Sequence, residues 1–205
     1  MNSNKQPTAI LMDTNYLAPV ALFAEVESFS TVIFNTEQKF RKSTWQNRCK
    51  IAGANGPILL TVPLEGGRGT RKMIKDVRIS YEQRWQQVHW NSICSAYRKS
   101  SYFEYYEDQF RPFYEKQYLF LMDLNVDLLT MCFRILSMGC EIKPSDGPLQ
   151  ADDENSTAFI SKPKFNVVPY YQVFQERHGF IAEVSIIDLI FNMGPESKAY
   201  LQKIK

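Results

Sequence analysis

The 205-residue sequence contains no long uninterrupted apolar run. Its most lipophilic stretch, Tyr118 to Met138, is broken by Asp123, Asn125, Asp127 and Arg134, which a bilayer core tolerates poorly, so it reads as a buried helix with no membrane insertion. The N-terminal residues hold one lysine and only a short apolar run before Asp13 and Asn15, without the hydrophobic region and cleavage site of a signal peptide. Cytoplasmic residence is the expectation. Four cysteines, Cys49, Cys94, Cys132 and Cys140, form neither a CxxC redox pair nor a zinc-ligand spacing, which predicts free core thiols and no metal. Ser-His-Asp, GxSxG, HExxH and GxGxxG patterns are missing as well.

Net charge is also scarce: 24 Lys+Arg against 22 Asp+Glu leave only +2, too little to nominate nucleic acid as the partner. A long basic stripe with regularly spaced stacking residues is absent too. The charge is nonetheless bipolar. Residues 31 to 100 carry 13 Lys/Arg against four acidic residues, a balance of +9, whereas residues 101 to 160 carry four basic against 11 acidic, a balance of −7. The basic third is expected to face an anion and the acidic block to lie away from it.

What the sequence does contain is 44% hydrophobic and 14% aromatic residues, enough for one globular core. Strand signals fall at Thr8 to Met12 and Thr31 to Phe34, and Asn55-Gly56 separates two apolar runs between Cys49 and Pro63 as a hairpin. A further strand is expected over Lys75 to Ser80. Helical patterns cover roughly 20 to 27, 82 to 98, 102 to 115, 117 to 138 and 185 to 193, the last ended by Gly194 with Pro195 opening another. Phe165 to Val168 and Tyr171 to Phe174 offer short strands or irregular structure. The polar, acidic run near 144–158 reads as an exposed linker. The order predicts an α/β or α+β fold in one domain over 1–205, with a small sheet built mainly from the first ~80 residues and covered by the middle and C-terminal helices.

Chemistry-bearing residues concentrate in three places. On the helix QRWQQVHWNSICSAYR, His89 falls near the centre of an apolar arc running from Val88 and Trp85 to Trp90 and Cys94. An inward histidine is either a satisfied packing residue or a general base held in one tautomer. Lys42, Trp45, Asn47 and Arg48 combine a movable cation, a flat indole, an amide and a planar guanidinium, a mix suited to an anionic organic ligand bearing phosphate or carboxylate. Ser185-x-x-Asp188 fits a capping box, and Asn192, one turn on, lies on the same face as Asp188 and can share a polar pocket with it.

Asn15-Tyr16 followed by Pro19, Lys42-x-x-Trp45-x-Asn47-Arg48 leading to Leu60-Thr-Val-Pro63, Trp85-x-x-x-His89-Trp90 with Tyr97, and Ser185 to Glu196 together resemble the WbqC-like family. That family is associated with bacterial surface polysaccharide loci. The resemblance spans nearly the whole chain. Where the family pattern usually has an Asp-Asp pair upstream of the lysine, Thr36-Glu37 stands here, leaving one carboxylate. The acidic run near 150 replaces the Gly-rich stretch of longer members. The resemblance implies a cytoplasmic transferase acting on a phosphate-bearing small molecule such as a nucleotide-linked sugar, by acyl or aminoacyl transfer. In that reading His89 moves the proton, Lys42, Trp45, Asn47 and Arg48 converge with Asn15 and Tyr16 on one concave surface that binds substrate, and Asp188 and Asn192 are further substrate-binding candidates. The alternative is a noncatalytic anion-binding or assembly protein using the same basic surface.

Overall fold

A computed structural model describes residues 9–66, 72–145, 157–160 (backbone only) and 167–204. Its centre is a parallel sheet in the order β5-β2-β1-β6, made of β1 (Ala9–Met12), β2 (Thr31–Phe34), β5 (Glu141–Pro144) and β6 (Thr157–Ile160). Parallel neighbours need a crossover connection, and α1 (Val20–Val26) supplies the one between β1 and β2. Six of its seven residues are buried, which ties this short helix to the core. The fold class is therefore α/β with a small sheet and covering helices, as expected. Half of the sheet, however, comes from beyond residue 140. The strands EIKP and TAFI flank the polar run 146–156, which with residues 161–166 lies outside the described residues. The expected linker at 144–158 and the element at Phe165 therefore fall largely there.

The hairpin signal corresponds to β3 (Arg48–Gly53) and β4 (Gly56–Thr61), a separate two-stranded antiparallel ribbon. Gly53 pairs with Gly56, so Ala54 and Asn55 form the two-residue loop and Gly56 sits beyond it at φ 105°. Lys75 to Ser80 does not form a strand. A 3-10 turn covers Ile74–Asp76, and Arg78 and Ile79 make only isolated bridges to Phe120 and Leu64.

Helices α2 (Trp85–Tyr97), α3 (Phe103–Phe110), α4 (Pro112–Glu115) and α5 (Leu121–Ile135) follow. The expected 102 to 115 helix is divided because Pro112, lacking an amide proton, starts a new helix. After the single turn α6 (Gln175–His178), α7 (Ile186–Met193) is almost wholly buried and leads through a 3-10 turn at Gly194–Glu196 into α8 (Ser197–Lys203). Gly194 has φ 53°, and a Cβ there would lie 2.5 Å from the Tyr102 ring. Only glycine lets α7 end against that aromatic face.

Cys49, Cys94 and Cys132 are buried free thiols, and Cys140 is a free, half-buried one. No helix among the described residues is long and apolar enough to cross a membrane.

Candidate functional site

Three of the four motif segments are joined through their backbones, and the fourth, α2, joins them through side chains. Tyr16 donates its amide to the Trp45 carbonyl at 2.8 Å, Val20 donates to Val184 at 3.1 Å, and Ser185 donates to Lys50 at 2.8 Å. Val62 likewise donates to the Asn47 carbonyl at 2.9 Å. Residues far apart in the chain thus meet around α2 and α7, but their side chains divide among several environments.

The first is the His89 centre. α2 buries Trp85, His89, Ile93, Ala96 and Tyr97, while Val88, placed on the apolar arc from the sequence, is 59% exposed. The Tyr16 hydroxyl lies 2.9 Å from His89 Nδ1 and 3.1 Å from the Tyr114 hydroxyl. The Thr61 backbone carbonyl also hydrogen-bonds the ring. A carbonyl can only accept, and with Nδ1 already beside the Tyr16 hydroxyl the tautomer that serves both neighbours has its proton on Nε2 and Nδ1 accepting from Tyr16. Tyr114 then donates to Tyr16. Burial pushes the His89 pKa down to about 4, against a smaller opposite effect of Thr61, and pushes both phenols up. The ring is neutral at pH 7, packed edge-on against Trp85, with both nitrogens engaged.

The second is the Asp188 centre. Ser185 accepts the Ile187 amide at 3.4 Å and so caps α7. The reciprocal half of a capping box is missing, because the Ser185 amide is committed to Lys50 and the Asp188 carboxylate turns inward. There it accepts from Tyr97 Oη at 2.9 Å, Tyr170 Oη at 2.6 Å and Gln172 Nε2 at 2.9 Å. Burial raises its pKa to about 6 while these donors pull it back, so the carboxylate is mostly ionised at pH 7. Asn192 does lie beside it, donating Nδ2 to the Asp188 carbonyl at 2.8 Å.

Trp45 and Arg48 meet in a third environment, a cavity of about 200 Å³ shared with Lys50, Glu183, Cys49 and Leu59. Lys50 pairs with Glu183 at 2.9 Å. Arg48 has no ion pair among the described residues, and its Nε is buried without a hydrogen-bond partner. Lys42 is exposed and does not line this cavity, and Asn47 turns inward to donate to the Val62 carbonyl at 3.1 Å. Burial pushes the Cys49 thiol up, which keeps it protonated.

Asn15 belongs to a polar cluster at the carboxyl end of β1, donating to the Asp13 carbonyl at 2.9 Å. Asp13 itself accepts from Gln38 and, at 3.4 Å, from Arg41. Thr36 bonds Ser145, and Glu37 is taken up by Lys75 at 2.6 Å. A second cavity, about 450 Å³, lies at the C-terminal end of α7 and includes Asn192. Among the described residues, no acidic residue of 101 to 160 lines either of these two cavities, and His89 lines neither.

The motifs from Asn15 to Tyr97 fall inside the span matched by the model of the WbqC-like protein family, residues 14–162. The chain belongs to the WbqC-like protein family. It is also similar to an uncharacterised protein, Rv1507c, of Mycobacterium tuberculosis strain H37Rv, with 24% identity over 94% of this chain and 96% of that one. No solved structure matches the chain. Asp188, Tyr170, Gln172 and Asn192 lie beyond the part matched by the WbqC-like model, whereas Tyr97 lies within it.

Several partners carry no signal in the sequence. Tyr114, Tyr170 and Gln172 supply hydrogen bonds of the two centres, yet helical spacing gives Tyr114 no partner for its hydroxyl, and Tyr170 and Gln172 sit in a segment without clear periodicity. Lys50 and Glu183, distant in sequence, could be matched only through the fold.

Proposed function

We propose that this WbqC-like protein acts on a phosphate-bearing small molecule, a nucleotide-linked sugar of surface polysaccharide biosynthesis, and that the Arg48 cavity receives its phosphate. One observation carries this reading. Arg48 Nε is buried without an acceptor in the wall of a cavity that also presents Lys50 and the Trp45 indole. A buried donor left unpaired is costly, and a phosphate oxygen supplies the acceptor with a charge-assisted bond. Lys50 is half neutralised by Glu183, so Arg48 is the stronger anchor. Trp45 offers a flat surface to a base or sugar ring.

Acyl or aminoacyl transfer to that sugar from an activated ester or thioester is the reaction proposed for the enzymatic form. A sugar hydroxyl or amine attacks the donor carbonyl, the donor's ester or thioester bond breaks, and neutral His89 takes the nucleophile's proton through the Tyr16 hydroxyl and returns it to the leaving alcohol or thiol. Noncatalytic anion binding is a second reading, and a specific observation favours it: both His89 nitrogens are already engaged and His89 lines neither described cavity.

A thermal-shift series with pyrophosphate, UDP and UDP-glucose tests the binding claim. Stabilisation approaching ~2.7 kcal/mol is expected at 100 times the dissociation constant. Arg48→Met, which keeps the packing volume, is expected to weaken binding at least ~10-fold, the equivalent of ~1.4 kcal/mol. No stabilisation by any of the three probes, or undiminished binding by the variant, contradicts the reading. Turnover of a bound nucleotide sugar that disappears in His89→Gln separates the enzymatic form from simple binding.

A further inference from the structure

The cavity at the C-terminal end of α7 has no part in the reading above, and its chemistry is opposite to that of the Arg48 cavity. Tyr102, Tyr170, Tyr171 and Tyr200 form much of its wall, with Asn192 inside and Glu196 and Lys203 also lining it. Two of the phenols are already committed. Tyr170 donates to Asp188 and Tyr200 to the Val168 carbonyl, so these tyrosines offer the cavity ring surface rather than free hydroxyl donors.

Asn192 is 6% exposed, and its Nδ2 donates to the Asp188 carbonyl. That bond fixes the amide, leaving Oδ1 as the atom free to accept. Oδ1 is buried and has no partner. The group it awaits must therefore donate a hydrogen bond.

Charge narrows the choice further. The Asp188 carboxylate lies one helical turn before Asn192, fully buried, and among the described lining residues Glu196 adds a second carboxylate against the one cation Lys203. Aromatic faces attract cations as well. An anion is disfavoured by both carboxylates, and a neutral hydroxyl would satisfy Asn192 without using the negative field.

We propose that this tyrosine-walled cavity binds a protonated primary amine on a small organic molecule, with the ammonium donating to Asn192 Oδ1 and the apolar body lying against the tyrosine rings. An amino sugar and an α-amino acid both present this group. The site is separate from the Arg48 cavity, so the two proposals stand or fall independently.

Isothermal titration of the full chain at pH 7 with glucosamine, N-acetylglucosamine, leucine and N-acetylleucine provides the test. At least one free amine is expected to bind, with its acetylated counterpart at least ~10-fold weaker. Which amine binds identifies the source. Asn192→Leu removes the acceptor and is expected to weaken binding at least ~10-fold. Glu196→Gln, an exposed change that leaves the core intact, is expected to weaken it several-fold, whereas Arg48→Met leaves it unchanged. Equal binding of an amine and its acetylated form, no binding by either amine, or wild-type affinity in Glu196→Gln overturns the proposal.

Discussion

His89 and Tyr97 face the core from the same helix, about two turns apart, yet the polar centres they serve hold opposite charge states. At one end a single side-chain hydroxyl, that of Tyr16, and the Thr61 carbonyl attend the imidazole, and burial lowers its pKa to about 4. At the other end Tyr97, Tyr170 and Gln172 all donate to Asp188, and burial raises that pKa only to about 6. Both groups are withdrawn from water. What differs is the number of hydrogen bonds offered to the charged form: three donors keep the pKa of fully buried Asp188 below 7, whereas the His89 cation would have only one backbone acceptor and its pKa is driven well below its ordinary value. A buried ion is retained where its partners are arranged around it, and here those partners come from α2, α7 and the irregular segment between α5 and α7.

The largest way to break this contrast is Asp188→Ala. It strands three buried donors at once, and we expect a loss of roughly 3 to 5 kcal/mol in urea unfolding, less than a simple sum because the cost of burying the charge disappears with it. A loss below ~1 kcal/mol would mean that the three donors find water instead.

A smaller effect, with a sign, comes from pH. The stability tied to His89 is present above its ordinary pKa of 6.5 and is lost as pH falls towards about 4. That tied to Asp188 runs the other way: present below 3.8, it is lost as pH rises through about 6. His89→Gln, which costs roughly 1 to 3 kcal/mol at pH 7 by leaving Tyr16 without its acceptor, should therefore cost less at pH 4. Asp188→Asn should cost more at pH 4 than at pH 7. Each difference approaches about 3 kcal/mol by linkage. Unfolding of both variants and the wild type at the two pH values checks the crossing, and parallel shifts in the two variants would erase the distinction.

Much of this architecture is legible in the residues themselves. The Asn55-Gly56 hairpin, the α2 arc around His89 and the cap at Ser185 follow from local pattern, because each depends on turn chemistry or helical spacing. The edge strand β5 and its counterpart β6 do not, since four residues such as EIKP acquire strand character from the neighbour they pair with. The same limit governs the site. Trp45 and Arg48 share a cavity as the sequence suggests, but Asn47 turns inward and Lys42 outward, since the loop before β3 sends successive side chains in different directions. Asp188 reads as half of a capping box, and only the arrival of Tyr97, Tyr170 and Gln172 in three dimensions gives its carboxylate a different use.

The contrast between the two centres rests most directly on the protonation state of His89, which nitrogen-15 NMR of histidine-labelled protein reads at the ring itself. On titration from pH 7 downward, His89 is predicted to stay neutral, with its proton on Nε2 and Nδ1 accepting from Tyr16, until the pH approaches about 4. A His89 that titrates near 6.5, or that carries its neutral-state proton on Nδ1, would contradict the account.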